Sequence, residues 1–167
     1  MSVVAAKVYP DKVIIAADSI MVKGWSKRNT NVTKLAEINE MIIGGVGTAQ
    51  EDSLMWHYMR THKPLSATEK DVLAFIIEFS QWKNTMIGNS NIENEYLLIF
   101  QGHLFQIDNM FVNEITDYSA IGAGEDYALA ALYLGHTPKE ATKVACELSC
   151  YVCEPIIEYE MKKEKIK

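Results

Sequence analysis

Cysteine is scarce in this chain and gathered in one place. The three among 167 residues, Cys146, Cys150 and Cys153, fall in one short segment near the C-terminus. A disulfide framework staples distant segments, so none is expected. Their i, i+4, i+7 spacing also matches the way three thiolates hold an iron–sulfur cluster, but that function needs a loop at the start of a larger barrel. Inside a capped helix the same spacing puts all three on one face. Free cysteine is among the most buried residue types, so core packing is the expectation.

Long apolar runs are missing too. None approaches the roughly 20 residues that a membrane-spanning helix needs, and the N-terminus lacks the charged stretch, apolar core and cleavage site of a signal peptide. A cytoplasmic protein with no membrane partner is expected. Positive charge is in the minority: sixteen Lys and Arg against twenty-two Asp and Glu leave a net charge of −6, which argues against a surface that tracks nucleic-acid phosphates. The one basic patch with an aromatic, Lys23-Gly-Trp-Ser-Lys-Arg28, reads as a solvated loop rather than a single-strand binder. His57, His62, His103 and His136 lack the paired spacing of a metal site, so neither metal nor cofactor is expected. No repeat, low-complexity tract or Pro/Gly-rich linker divides the chain, which reads as one domain over residues 1–167 with a tail from 162 to 167.

What is present is organised around the opening stretch, Ser2 to Asp18. It holds two apolar strands, 3–8 and 12–17, joined by Tyr9-Pro10-Asp11, in which Pro presets φ and Asp can bond its own backbone. A strand starting at residue 2 is unusual, since chain ends fray unless tied down. Ser2 is small enough for Met1 to be trimmed, which would leave a hydroxyl and a free α-amine on one residue. An α-amine, with an ordinary pKa near ~7.7–8.0, can act as a base at neutral pH, so one residue can supply nucleophile and base together.

Further along, 19–32 is polar and turn-rich, and 33–38 and 41–46 read as strands about the Asn39-Glu40 turn. Apolar spacing then turns helical over 49–61. A second helix runs from a box at Ser66-Ala-Thr-Glu69 to about Lys83. Four short strands follow (95–100, 103–107, 110–115 and 118–121), then helices at 124–134 and 138–153 and a last strand at 155–159. The second of these helices opens at the capping box Thr137-Pro-Lys-Glu140. Two stacked antiparallel sheets, each covered outside by a helix pair, bury every apolar face this order offers. The expected class is therefore α+β, a four-layer αββα sandwich.

Taken in order, five segments carry a resemblance: Ser2-Val-Val-Ala-Ala-Lys, Val13-Ile-Ile-Ala-Ala-Asp18-Ser, Lys34-Leu, Ile42-Ile-Gly-Gly45-Val-Gly-Thr, and Ala120-Ile-Gly-Ala-Gly-Glu-Asp-Tyr-Ala128. Their sequence and spacing resemble the N-terminal-nucleophile hydrolases of the proteasome β-subunit type, bacterial HslV peptidases and bacterial proteasome homologues included. The resemblance implies the same αββα sandwich. It implies a threonine-type peptidase variant with Ser2 as nucleophile, and Asp18 and Lys34 as the acid and lysine beneath it. Gly45 is implied as the amide donor to the oxyanion, with Met21, Val32 and Ile43 around the first specificity pocket. The implied partners are a peptide or unfolded protein as substrate, further copies in a homo-oligomeric ring or double ring, and an ATP-dependent unfoldase.

The chain departs from that family in the orienting residues. The serine of its Ile-Gly-Ser-Gly segment is Ala123 here, its supporting Asp falls near Cys150, and a following serine or threonine falls at Cys153. Ser149 and Glu125 lie close enough in sequence to substitute. A non-catalytic ring or scaffold subunit, or a small-amide hydrolase on the same fold, are the alternative readings.

Overall fold

The computed structural model describes residues 2–24, 26–29 and 32–163. Met1, Trp25 of the basic patch and residues 164–167 of the tail lie outside them. The described residues form eleven strands and four helices.

The first sheet is antiparallel, in the order β10 (Tyr118–Ile121), β1 (Val4–Val8), β2 (Lys12–Ala17), β11 (Ile157–Lys162). Val4 faces both Ala17 and Ile121 across the ladder, so the first strand is central and its start is tied on both sides. The second sheet is a five-stranded meander of β5 (Leu35–Ile38), β6 (Met41–Val46), β7 (Glu95–Phe100), β8 (His103–Asp108) and β9 (Phe111–Ile115). Asn39 and Glu40 sit at φ 51° and 65°, the left-handed pair that a tight two-residue hairpin demands.

Period-2 alternation sorts the side chains into three cores. Val4 and Ala6 of β1 meet Ile42, Leu97 and Ile99 between the sheets, while Val3 and Ala5 turn the other way, onto Ala128, Leu132, Ala141 and Ala145. Those four lie on α3 (Glu125–Tyr133) and α4 (Pro138–Leu148), and α4 opens on the expected capping box, with both reciprocal bonds between Thr137 and Glu140 made. On the far side, Met41 and Ile43 of β6 face Met55, Tyr58, Phe75 and Phe79 of α1 (Ala49–Met59) and α2 (Glu69–Ile87). Tyr58 sits 5.5 Å from the rings of both Phe75 and Phe79, pairs worth about 0.5–1.5 kcal/mol each beyond their area. No helix of the described residues is long and apolar enough to cross a membrane.

Several boundaries differ from the sequence reading. The polar stretch after Ser19 contains a two-stranded hairpin, β3 (Met21–Lys23) with β4 (Ser26–Asn29). Thr68, not Ser66, caps α2 by accepting from Asp71 N–H, and α2 runs on to Ile87. The helix expected to reach Cys153 stops at Leu148, because Ser149 leaves in an extended conformation and its hydroxyl takes the Tyr151 amide at 3.2 Å. The three cysteines therefore share no helical face: Cys146 is half-buried on α4, Cys150 is exposed, and Cys153 accepts from Lys27 Nζ at 2.8 Å. The last strand reaches Lys162, inside the stretch read as tail, and Lys163 N–H donates to Asp11 O at 2.9 Å.

One buried ion pair gave no sign in the sequence. Lys83, 1% exposed, reaches back from α2 to Glu51 at 2.5 Å and to the Asn91 carbonyl. Glu51 also accepts the amides of Glu93 at 3.1 Å and Asn94 at 3.0 Å, so one carboxylate joins α1, α2 and the loop entering β7. Lys83→Met should lower the unfolding free energy by about 3–5 kcal/mol in urea titration, since it strands a buried charge. Adding Glu51→Gln should restore much of that loss. A loss of about 1 kcal/mol or less for the single change would mean that the pair behaves as a solvated one.

Candidate active site

Ser2 lies at the entrance to β1 and is buried. Its carbonyl accepts Gly124 N–H at 3.2 Å, and Gly122 passes so close that a Cβ there would lie 2.5 Å from the Ser2 oxygen. Gly122 also sits at φ +96°. The glycines around Ala123 thus have a local cause: the turn into α3 presses against the start of the chain.

Asp18 directly follows β2 beside it and is fully buried. One oxygen, Oδ1, accepts Val3 N–H at 2.9 Å and Lys34 Nζ at 2.7 Å, and Oδ2 accepts Ile20 N–H at 3.2 Å. Lys34, just before β5, is buried too, and its pKa is held below the ordinary lysine value by desolvation, against which the Asp18 charge pulls. The residue after Ser2, an acid and a lysine are therefore joined through a single carboxylate atom. Cys146 on α4 stands near this pair; burial, and then the Asp18 charge, push its thiol up to about 12, so it is a neutral neighbour.

Above them opens a cavity of about 780 Å³ whose wall includes Ser2, Lys34, Gly45, Gly47 and, on the β3–β4 side, Met21 and Val32. Ile43 does not reach it. It is fully buried in the helix-facing core with Met55 and Tyr58, on the same face of β6 as Gly45 but earlier in the strand. Gly45 lines the cavity, yet its N–H donates to Lys34 O at 3.2 Å as part of the β5–β6 edge. Gly47, just past the end of β6 at φ +139°, also lines the cavity. Ser149 and Glu125, close enough in sequence to substitute, have local partners: the Ser149 hydroxyl takes Tyr151 N–H, and Glu125 accepts Gly122 N–H at 3.1 Å. Ala123 is exposed.

Two site residues escaped the sequence reading. Asn94 braces the turn into α1, accepting Thr48 N–H at 2.7 Å and donating to Thr48 O and to Asp52, each at 2.9 Å. Asp52, on the first turns of α1, also lines the cavity. Its carboxyl is pushed up to about 6 by burial, with the Glu51 charge adding and Asn94 and Lys34 pulling back. A signal for Asp52 existed, since helical side chains lean toward the N-terminus and α1 opens directly on the Gly44–Gly47 strand end. For Asn94, one asparagine in an asparagine-rich loop, there was none.

No family model and no curated protein matches the chain. Solved structures do match along its whole length. BPH of Thiobacillus denitrificans in complex with epoxomicin superposes with a TM-score of 0.88 at 16% identity, covering 98% of this chain and 100% of that one. A second structure of that BPH gives 0.87 at 16%, over 97% and 98% of the two chains. Eukaryotic HslV from Trypanosoma brucei gives 0.76 at 18%, over 96% and 99%. The chain has the fold of these proteasome-type proteins; at such identities the likeness extends to the fold alone.

Proposed function

We propose that the protein is a proteasome-type N-terminal-nucleophile hydrolase of four-layer αββα architecture that cleaves peptide or amide bonds by acyl transfer within a ring of identical chains. The single observation that carries this reading is the Asp18 carboxylate, which holds both the amide next to Ser2 and the Lys34 ammonium beneath a cavity. Once Met1 is removed, Ser2 Oγ attacks the substrate carbonyl while the Ser2 α-amine takes the proton and later returns it to the leaving amine. Lys34, oriented by Asp18, steadies the alkoxide and disfavours protonation of the amine.

The oxyanion donor we assign is the Gly47 N–H rather than that of Gly45, which is already spent on Lys34 O. Water then attacks the acyl-serine ester and releases the product. Peptide or unfolded protein is the substrate class that the neighbours' fold suggests, and an ATP-dependent unfoldase is a partner to test for.

Intact-mass measurement of protein from its native source, before and after incubation with epoxomicin, tests the reading. The expected result is a chain that starts at Ser2 and gains one inhibitor mass, mapped to Ser2, together with hydrolysis of fluorogenic peptides. A chain lacking Met1 that gains no mass and turns over neither peptides nor small amides would leave the scaffold reading in its place.

A further inference from the structure

The cavity holds one ionisable group that acyl transfer does not use. Asp52 Oδ1 accepts from Asn94 Nδ2 at 2.9 Å and stands over Gly45, where an added methyl would lie 2.3 Å from it. The absence of a side chain at Gly45 is therefore what leaves room for this carboxylate. Among the described residues its other oxygen, Oδ2, has no hydrogen-bond donor, and no Lys, Arg or His pairs with Asp52.

The charged neighbours are otherwise engaged. Lys34 is bound to Asp18 at 2.7 Å. Glu51, next to Asp52 on α1, is turned to Lys83 at 2.5 Å and to the Tyr96 hydroxyl at 3.3 Å. Lys23 and Arg28 line the same cavity but stand exposed on the β3–β4 hairpin, where water and salt screen them. Neither pairs with Asp52.

A carboxylate with an open oxygen in a cavity wall is a place for a cation to bind by a charge-assisted hydrogen bond. The surrounding wall suits a long side chain with a charged tip, since Ile20, Met21, Val32 and Trp56 offer apolar surface to an alkyl stem. We infer that Asp52 makes this cavity a receptor for a basic side chain, so that the enzyme acts after lysine or arginine. The inference rests on the proposed hydrolase reading for the position of the scissile bond, but the binding of a basic side chain does not depend on it.

The test uses the full-length protein and two readouts. In the first, coumarin amides of otherwise identical peptides ending in Arg, Lys, norleucine or Glu are compared by kcat/KM. Arg and Lys should exceed norleucine by at least about tenfold, and Asp52→Asn, which keeps an acceptor for Asn94, should reduce that ratio by at least about tenfold. Norleucine or Glu matching Arg in the wild type would overturn the inference before any variant is made, and so would a ratio that Asp52→Asn leaves unchanged. If nothing is hydrolysed, the hydrolase reading fails by itself and the second readout decides. Binding of acetyl-Arg-amide and acetyl-norleucine-amide, followed by NMR titration, should favour Arg by at least about tenfold in the wild type and not in Asp52→Asn. Equal binding of the two amides sinks the proposal.

Discussion

Ser2→Ala protein with Met1 verified absent is expected to hydrolyse no peptide, a loss on the order of 10³-fold or more, while Ser2→Thr keeps activity or improves it. Alanine removes the hydroxyl and leaves everything that ties the residue down. The bond from Gly124 runs to the Ser2 carbonyl and the bond to Asp18 runs from Val3, both of them backbone groups. The variant should therefore fold, and thermal unfolding checks that. Threonine keeps hydroxyl and amine, and its methyl narrows χ1, which holds the nucleophile nearer one rotamer. An N-terminal extension that blocks Met removal should silence the enzyme as fully as alanine does, because it turns the base into an amide. Full activity in the Ser2→Ala protein would overturn the mechanism.

Much of this was legible because the strands carry it. Ser2, Asp18 and Lys34 each sit where an apolar run meets polar chain, and β1 and β2 pair in a register that brings two of those ends together: Asp18 N–H donates to Val3 O at 3.3 Å. Which of Val3 and Val4 faces a helix and which faces the other sheet was not legible, because the run Val3-Val4-Ala5-Ala6 is apolar on both faces. What else stayed hidden depended on contacts between segments far apart in the chain. Ile43 resembles a pocket residue by position, yet it packs into the core against α1 and α2, while Gly45, two residues on along the same face, lines the cavity. The helix stop at Ser149 hangs on a hydroxyl-to-amide bond that competes with one more helical turn, and Ser is neutral enough in a helix for either outcome. Asp52 becomes chemically distinctive only through burial and Asn94, 42 positions along the chain. The Lys83–Glu51 pair, 32 positions apart, breaks the rule that places lysine on the surface and so could not be read from pattern.

The largest effect outside the nucleophile is expected at the Asp18–Lys34 pair, and it separates chemistry from stability. Lys34→Ala removes the ammonium from the cavity floor and should lower kcat by at least about 10²-fold. It should also destabilise the fold, because Asp18 is fully buried and is left with two amide donors and no cation; breaking such a pair costs about 3–5 kcal/mol. A loss of activity in the single variant could therefore come from either cause. The double variant Asp18→Asn with Lys34→Met resolves them. Asparagine still offers an oxygen to Val3 N–H, methionine fills the lysine's volume, and no charge is stranded, so the unfolding free energy measured in urea should return to within about 1–2 kcal/mol of the wild type. Turnover should not return, because neither replacement supplies a positive charge near Ser2. Recovery of both stability and turnover would show that the pair only holds β2 against β5, and Lys34 would then have no part in the reaction.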